Sequence, residues 1–244
     1  MQCKRCFWLD IRKKISRPST PPFNINKAID NLFKKEFNYY RNKSEPHPIM
    51  TDNQINAVPF SHQDLDIWRQ NFTGIGYLDK TTNLYIYGAV DDIWVDDKGK
   101  LIVVDYKATA KNSDVTIDSD WQISYKRQLE IYQWLLRKNS FKVNNRGYFV
   151  YANAKMDLDG FYDKIEFLTK ILPYDGNDEW ISETILEIKK CLESEQLPPV
   201  GQAIMGGSCE YCQYAKVRSQ LTLDELTKDD NKLKLQIIKS LAKI

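Results

Sequence analysis

The spacing of hydrophobic and polar residues along the chain predicts a mixed α/β protein. Apolar side chains recur at helical spacing over residues 24–41, after the proline-rich stretch 18–22, and predict an amphipathic helix. The later predicted elements are strands at 73–78, 83–95 and 100–107, a helix at 119–138, strands at 146–153 and 163–172, and helices at 178–194 and from about 222. This order of helix, three strands, helix and strand predicts an α/β fold with a mixed β-sheet flanked by helices.

A tight hairpin is predicted where the second long strand turns into the third. The turn has the sequence Val95-Asp96-Asp97-Lys98-Gly99-Lys100, and folding about it places Asp91 opposite Val104 or Asp105. Asp105 and Lys107 are two residues apart on one strand, so their side chains leave the same face of the sheet. The sequence therefore predicts that two acids and one lysine meet at this end of the hairpin.

The strand that ends in Asp105 and Lys107 has the character of a central strand. Residues 101–104 are Leu-Ile-Val-Val, a continuous apolar run that is typical of a strand covered on both faces. Charged groups at its end are costly to desolvate unless they have partners. A divalent cation would relieve the repulsion between two carboxylates, and Mg²⁺ is commonly held by one or two carboxylates with water and phosphate oxygens. The alternative is that Asp105 and Lys107 pair only with each other, and spacing does not choose between the two.

Two predicted helices each carry a polar residue within an apolar stripe. In the first, Glu36 is expected to face the core and the metal site, and the stripe comprises Ile25, Ala28, Ile29, Leu32, Phe33, Phe37 and Tyr40. The opposite face of that helix is expected to hold Lys27, Asp30, Lys34 and Arg41. In the second, Gln128 lies among Trp121, Tyr125, Leu129, Tyr132 and Leu136, and it shares a face with Tyr132 four residues later. Each of these polar groups could instead be a core residue with satisfied hydrogen bonds.

These residues occur in a familiar arrangement. Gly88-Ala89-Val90-Asp91 and Asp105-Tyr106-Lys107 resemble the G-x-x-D and (D/E)-x-K motifs of the PD-(D/E)XK nucleases, and residues 128–132 resemble the Q-x-x-x-Y motif of the RecB-like branch. The resemblance implies a restriction-endonuclease-like fold and a deoxyribonuclease that depends on Mg²⁺ or Mn²⁺. It implies that Asp91 and Asp105 bind the metal, that Lys107 is the catalytic lysine, and that Gln128 and Tyr132 lie near the substrate. The branch also uses an upstream acid or histidine, for which Glu36 is the candidate ligand.

Four of the five cysteines form two C-x-x-C pairs, Cys3 with Cys6 and Cys209 with Cys212. Such pairs favour a metal site over disulfides, although four unrelated thiols are the alternative. The flanking residues resemble iron–sulfur RecB-like nucleases, including CRISPR-associated exonucleases, and imply a [4Fe–4S] cluster that joins the chain ends. That family pattern has one N-terminal and three C-terminal cysteines, so the arrangement in this chain leaves Zn²⁺ open as the alternative. Cys191 is interpreted as a small core residue.

Charge is distributed unevenly although the net charge is only +2. Residues 1–50 carry eleven Lys or Arg and four Asp or Glu, whereas residues 51–120 carry six Lys or Arg and twelve Asp. This asymmetry fits a basic face for a polyanion beside an acidic metal site, but it fits a solvated surface equally well. No apolar run reaches membrane-spanning length and the N-terminus lacks the apolar stretch of a signal peptide, so a cytoplasmic protein without membrane contact is expected. His47 and His62 lie in polar loop sequence and are interpreted as surface residues.

The organisation expected from these features is one nuclease domain over residues 1–220, closed by both chain ends, and a C-terminal amphipathic helix over residues 221–244. The resemblance implies a DNA partner, either single-stranded or at DNA ends, and protein partners in CRISPR adaptation or recombination repair. It also implies a short segment before the first cysteine, so that the N-terminus could be incomplete. The competing hypothesis is a nucleic-acid-binding module that keeps the nuclease fold without turnover. Oligomeric state does not follow from the sequence.

Overall fold

The computed structural model describes residues 2–20, 24–203, 206–228 and 239–242, with the side chains of 226–228 excepted. Two compact units are formed. Residues 20–186 make up the first, called the core unit, and residues 1–19 with 187–244 make up the second, called the terminal unit. None of the helices in the described part of the chain combines the length and the apolar character that crossing a membrane requires.

The core unit is organised around a five-stranded mixed sheet. Its strands are β1 (Ala57–Pro59), β4 (Asp92–Asp96), β5 (Leu101–Thr109), β6 (Arg146–Ala154) and β7 (Phe167–Asp175), in the spatial order β1-β4-β5-β6-β7. The pair β5–β6 is parallel and the other three pairs are antiparallel. A separate antiparallel pair is formed by β2 (Ile75–Asp79) and β3 (Leu84–Gly88). The mixed α/β fold with a sheet flanked by helices is therefore confirmed.

The helices in the described part of the chain are α1 (Lys4–Lys13), α2 (Asn24–Lys43), α3 (Pro48–Asp52), α4 (Leu65–Trp68), α5 (Ile123–Lys138), α6 (Trp180–Glu193) and α7 (Glu210–Lys228). The helices predicted at 24–41, 119–138 and 178–194 are present, whereas α1 and the short helices α3 and α4 were not predicted. A 3₁₀ turn at Asp120–Gln122 leads directly into α5. Helix α5 lies in the connection between the parallel strands β5 and β6, as such a crossover usually requires.

Strand β5 is buried on both faces, as its apolar run predicts. Leu101 and Val103 belong to one hydrophobic cluster, which includes Leu129 of α5, and Ile102 and Val104 belong to the cluster on the other face. The second cluster also contains Phe37 of α2 and Trp94 of β4. Because successive strand residues point to opposite faces, Asp105 and Lys107 continue the row of Leu101 and Val103 on the side of α5.

The predicted strand at 83–95 is in fact two strands that belong to different sheets. β3 ends at Gly88 and β4 begins at Asp92, and between them the buried Val90 donates a backbone hydrogen bond to the carbonyl of Trp68 at 3.0 Å. Apolar and aromatic residues continue across the break, so the hydrophobic pattern gives no sign of it. The break matters, because it holds Asp91 in irregular backbone directly before the first residue of the inner strand β4.

The last helix also begins earlier than its apolar pattern predicts. α7 starts at Glu210, directly after Cys209, and runs without interruption through residue 220. Of the predicted helix at 221–244, residues 229–238 and 243–244 lie outside the described part of the chain. The helix therefore begins directly after the cysteine-bearing loop, about twelve residues before the predicted start.

Candidate functional site

The acids predicted to meet are brought together by the β4–β5 hairpin. Asp92 pairs with Val104 in the antiparallel register, so one further step along the same register sets Asp91 opposite Asp105. Oδ2 of Asp91 accepts a hydrogen bond from the backbone N–H of Tyr106 at 2.9 Å. This bond orients the Asp91 carboxylate toward the end of β5, where Asp105 lies.

Lys107 joins this pair on the same face of β5. Its ammonium group forms an ion pair with the Asp105 carboxylate. Asp105 is fully buried, and within the described residues its Oδ1 atom has no hydrogen-bond partner. Nζ of Lys107 also lies 4.5 Å from the ring centre of Tyr125 on α5, where the face of an aromatic ring attracts a cation. The lysine is therefore held between the acid and an aromatic ring.

The two carboxylates are incompletely neutralised by their surroundings. Burial and the nearby charge of Asp105 raise the pKa of Asp91 to about 7, although Lys34 and Lys107 act in the opposite direction. Burial likewise raises the pKa of Asp105, against the attraction of Lys107. A buried acid beside a partly buried one, with a carboxylate oxygen that receives no hydrogen bond from a donor among the described residues, fits a divalent cation, which would favour ionisation of both groups. Asp91 and Asp105 are the residues that could hold it.

Glu36 does not face this pair, and the expected helix phase is wrong. Asp30 and Lys34 are the α2 residues that reach the site: Lys34 Nζ lies 2.8 Å from Asp30 Oδ2 and 3.8 Å from Asp91 Oδ1. The buried Oδ1 of Asp30 has no hydrogen-bond partner among the described residues. Packing of Phe33 and Phe37 against the sheet sets the phase, and positions 30, 34, 37 and 41 then share the inward face.

Glu36 instead contacts a histidine outside the acidic site. Its side chain is 57% exposed, and its Oε1 lies 2.9 Å from Nε2 of His47. His47 is buried, stacks on Phe37 with 4.3 Å between ring centres, and accepts the backbone N–H of Ile49 at the start of α3. The interpretation of His47 as a surface residue is therefore wrong as well, because it caps a short helix against the core.

Gln128 and Tyr132 contact each other on the side of α5 that faces the small sheet. Nε2 of Gln128 donates to the Tyr132 hydroxyl at 2.7 Å, and Tyr132 is buried. A Cβ atom at Gly88 would lie 2.7 Å from Cε1 of Tyr132. Any side chain at Gly88 would therefore collide with the Tyr132 ring. The first residue of the G-x-x-D motif must be glycine because the last residue of the Q-x-x-x-Y motif packs against it. This pairing fixes where the chain turns toward Asp91.

A buried polar network lies behind the acids, and the sequence did not predict it. Asp92, with no exposed surface, forms ion pairs with Arg41 and with Arg69, the latter at 2.6 Å. Its other carboxylate oxygen accepts the Tyr106 hydroxyl at 2.6 Å. Asp92 directly follows Asp91 in the chain, and Tyr106 lies between Asp105 and Lys107. The network therefore fixes the backbone of both strands on the face opposite to the acidic site. One signal in the sequence could have indicated this network. Strand alternation turns Tyr106 to the face opposite to Asp105 and Lys107, where its hydroxyl needs a polar partner.

The raised pKa of Asp91 predicts how the stability of the metal-free protein depends on pH. Between pH 4 and pH 7 the folded state binds more protons at Asp91 than the unfolded state does, because the pKa is about 7 in the fold and 3.8 for the free side chain. The contribution of Asp91 to the free energy of unfolding therefore falls as pH rises through this window, by at most about 1.4 kcal/mol per pH unit.

We expect chemical denaturation in a chelator to show this decline for the wild type and a smaller one for Asp91→Asn. Mn²⁺ should restore more stability at pH 8 than at pH 5, since the cation binds the ionised carboxylates. An Asp91→Asn protein with the wild-type pH profile would contradict the assignment of the raised pKa to this residue.

The terminal unit contains the second candidate metal centre. The Sγ atoms of Cys3, Cys6, Cys209 and Cys212 all lie within 4.8 Å of one another. Individual Sγ–Sγ distances are 3.4 Å for Cys6–Cys212 and 3.7 Å for both Cys3–Cys212 and Cys6–Cys209. The predicted four-cysteine cluster from both chain ends is therefore confirmed. Cys191 is buried and its Sγ lies 3.9 Å from the Lys4 carbonyl oxygen, as expected of a packed residue.

The surroundings of these thiols favour ionisation unequally. Burial opposes ionisation of Cys3, but hydrogen bonds from the backbone N–H groups of Cys6 and Gly201 outweigh it and lower its pKa to about 6. Burial raises the pKa of Cys6 and of Cys212, and the neighbouring sulfur atoms raise that of Cys212 further. A bound cation would stabilise all four as thiolates, which is the form that ligates metals. The donor set therefore fits a thiolate-bound metal.

The backbone around the cysteines is shaped for close approach. A Cβ atom at Gly201 would lie 2.5 Å from the Cα of Cys3, so only glycine fits there. Trp8 of α1 donates from its indole nitrogen to the carbonyl of Ser194 at 3.0 Å, and Arg5 donates to that of Pro198 at 2.8 Å. These bonds tie α1 to the segment before the second cysteine pair and so bring both C-x-x-C pairs together.

The fold and the acidic site define a class of α/β proteins that present two carboxylates and a lysine on adjacent strands of a mixed sheet. A family model for the PD-(D/E)XK nuclease superfamily matches residues 25–217, which is most of the chain, and the protein belongs to that superfamily. Nucleases of this superfamily use divalent metals.

One solved structure resembles part of this chain. A solved structure titled "Crystal structure of SSO0001" is 26% identical over 47% of this chain and 45% of that chain, with a TM-score of 0.26. The chain thus matches less than half the length of that relative. No curated protein matches the sequence.

Proposed function

We propose that this protein is a deoxyribonuclease that hydrolyses phosphodiester bonds with the help of Mg²⁺ or Mn²⁺ at Asp91 and Asp105. The observation that carries the proposal is the buried Asp105 carboxylate, which lies beside Asp91, forms an ion pair with Lys107 and has an Oδ1 atom without a hydrogen-bond donor in the described part of the chain. When bound, the cation would supply Lewis acidity and a lowered pKa for water, as divalent ions do in hydrolases. Asp30 extends this acidic group from α2 and replaces Glu36 as the candidate for a third acid.

The residues of the chain have distinct roles in the proposed reaction. Asp91 and Asp105 would hold the cation, and Lys107 lies beside Asp105, where it can offset the negative charge that develops on the phosphate. Gln128 and Tyr132 are positioned from α5 close to the same end of the sheet. The pKa of Tyr132 is raised by burial, so its hydroxyl stays protonated at neutral pH and can donate a hydrogen bond.

The finer substrate assignment depends on the resemblance. Single-stranded DNA or DNA ends are proposed as substrates, with exonucleolytic cleavage, because RecB-like enzymes with similar motifs act in this way. A role in CRISPR adaptation or recombination repair is implied in the same manner, and cytoplasmic location stays an expectation from the sequence. The substrate, the mode of cleavage and the pathway are thus inferred from the resemblance, whereas the proposed chemistry is inferred from the residues of the site.

The direct test is cleavage of end-labelled and internally labelled single-stranded DNA by the purified protein. We expect cleavage with Mn²⁺ or Mg²⁺ and none in EDTA, and release of the end label before the internal label if the enzyme is an exonuclease. Duplex DNA and RNA of the same sequence serve as substrate controls. Binding without cleavage of any of these substrates would favour the alternative, a nucleic-acid-binding module with a nuclease fold.

For the cysteine centre we propose a single tetrahedral ion, zinc, in place of the [4Fe–4S] cluster that the resemblance implies. Four thiolates about 2.3 Å from one zinc ion form a tetrahedron with edges of about 3.8 Å. Three of the six Sγ–Sγ distances are 3.4–3.7 Å, close to that value, and all six are within 4.8 Å. In a [4Fe–4S] cluster each thiolate binds a different iron, so the sulfur atoms lie considerably farther apart. The two-plus-two arrangement of the cysteines is likewise typical of zinc sites.

This assignment predicts a colourless protein that contains one zinc ion per chain. Elemental analysis and an absorption spectrum of protein purified without oxygen measure both properties. The expected spectrum has no broad band near the boundary of the visible and ultraviolet ranges. A brown protein with about four iron atoms per chain would contradict the zinc assignment and restore the iron–sulfur cluster.

A further inference from the structure

An aromatic pair lies beside the acidic site on the same face of the helical segment that carries Gln128 and Tyr132. Trp121 in the 3₁₀ turn and Tyr125 in α5 are four residues apart, and their rings meet edge to face with 5.4 Å between centres. Trp121 is 39% exposed, whereas Tyr125 is partly buried. Together with Gln128 and Tyr132 they form a row at helical spacing that runs from the surface to the buried end of the site.

Two lysines lie over these rings. Nζ of Lys107 is 4.5 Å from the centre of the Tyr125 ring, and Nζ of Lys111 is 6.0 Å from the centre of the Trp121 ring. Since Lys107 also pairs with Asp105, Tyr125 links the aromatic pair directly to the proposed catalytic groups. Lys111 has no acidic partner within 4 Å among the described residues, so its charge is available to an anionic ligand.

The positions of Trp121 and Lys111 are fixed by their neighbours. Gln122, which is almost completely buried, donates to the carbonyl of Thr116 at 2.7 Å and accepts the backbone N–H of Ser119 at 3.0 Å, and so secures the turn. Asn153 of β6 makes two hydrogen bonds to the backbone of Lys111, at 2.9 and 3.0 Å. An exposed tryptophan on a well-secured turn is preorganised for contact with a flat ligand, because little rotational freedom remains to be lost.

The chemistry of this surface matches an unpaired nucleotide. An exposed aromatic face stacks on any base, and a lysine that lies over such a face in the free protein can move aside to contact a flanking phosphate. In a duplex the bases stack on one another and do not present their faces to a protein side chain. A surface of this kind next to the scissile bond would therefore distinguish single strands from duplexes.

We propose that the exposed ring of Trp121 is a base-stacking platform, with the perpendicular ring of Tyr125 at its side, and that it holds one unpaired nucleotide next to the phosphodiester at Asp91, Asp105 and Lys107. Lys111 contacts the phosphate on the far side of that nucleotide. This inference rests on the proposed nuclease function and deepens it, because it assigns the preference for single strands to particular residues. The stacking requires no cleavage, so binding can be measured without turnover.

The test compares the affinity of two labelled ligands by fluorescence anisotropy in EDTA: a short oligothymidylate and a sugar–phosphate oligomer of equal length that lacks bases. Wild type should bind the oligothymidylate more tightly. Trp121→Ala should weaken that binding about 5- to 150-fold, the range for loss of one stacked base, and leave binding of the abasic oligomer nearly unchanged. Trp121→Phe should retain most of the affinity. Phe72→Ala, which removes a 92% exposed aromatic outside this row, is the matched control and should bind like wild type.

The results separate the platform from the proposed nuclease activity. Equal weakening of both ligands by Trp121→Ala, or no weakening beyond that of Phe72→Ala, would overturn the stacking platform even if the wild type cleaves DNA. If the wild type cleaves nothing but Trp121→Ala selectively loses oligothymidylate binding, the platform stands and the proposed nuclease activity fails. Thermal melting of each variant confirms that the loss is not a loss of folding.

Discussion

Replacing Asp105 with asparagine is expected to reduce the rate of DNA cleavage by at least about 10²- to 10³-fold, because it removes both a carboxylate that would bind the cation and the partner of Lys107. The amide has nearly the same shape, and Asp105 is fully buried at the end of the central strand. The loss should therefore come from charge and not from packing. Single-turnover cleavage of a labelled single strand with saturating Mn²⁺ measures the effect.

The matched control is Asp97→Asn, which makes the same chemical change on an exposed residue of the same hairpin. Asp97 accepts a hydrogen bond from Asn56 at 3.0 Å and lies at the turn, away from Asp91 and Lys107. Its rate of cleavage should equal that of wild type. Equal rates for Asp105→Asn and wild type would show that the acidic pair is not the catalytic centre, whatever activity the protein has.

The second large effect is expected at the cysteine centre, where Cys209→Ser should release the metal and unfold much of the terminal unit. Structural zinc sites contribute about 10–16 kcal/mol of binding free energy, which becomes folding free energy when the site does not exist in the unfolded chain. α1 and α7 bring little other packing: their described exposed side chains include Ile11, Tyr214, Val217 and Leu221. Metal content per chain and the rate of limited proteolysis measure the loss.

Cys191→Ser is the control for this change. Cys191 is buried like Cys209 but lies outside the group of four sulfur atoms. This variant should keep its metal and lose only the modest stability expected when a hydroxyl replaces a packed thiol. If Cys209→Ser retained a full complement of metal and wild-type protease resistance, the four cysteines would not form a metal centre that stabilises this unit.

The sequence predicts the central features of the site because they depend on local geometry. Strand alternation sets Asp105 and Lys107 on one face, and the short turn at residues 95–100 determines the register that brings Asp91 alongside. The buried apolar run of β5 is equally local, since four consecutive aliphatic residues rarely suit a strand with an exposed face. These predictions need no knowledge of what packs against the strand.

Features that depend on distant packing were not predictable in the same way. The phase of α2 differs from its apolar stripe because Ile25 and Leu32 remain exposed, while the aromatic contacts of Phe33 and Phe37 turn Asp30 inward. The ion pairs of Asp92 with Arg41 and Arg69 join residues 51 and 23 positions apart, so no spacing rule identifies them. Polar residues on an apolar stripe therefore locate a helix face only approximately.

Mn²⁺ binding and DNA cleavage measured together for wild type and Lys107→Ala test the proposed catalytic centre most directly. Lys107 is assigned to the reaction and not to metal binding, so both proteins should bind one Mn²⁺ that Asp105→Asn does not bind, while only wild type cleaves the labelled strand at an appreciable rate. Electron paramagnetic resonance of bound Mn²⁺, with the cysteine centre already loaded, measures the occupancy. Equal cleavage by the two proteins, or no Mn²⁺ site that depends on Asp105, would contradict the account.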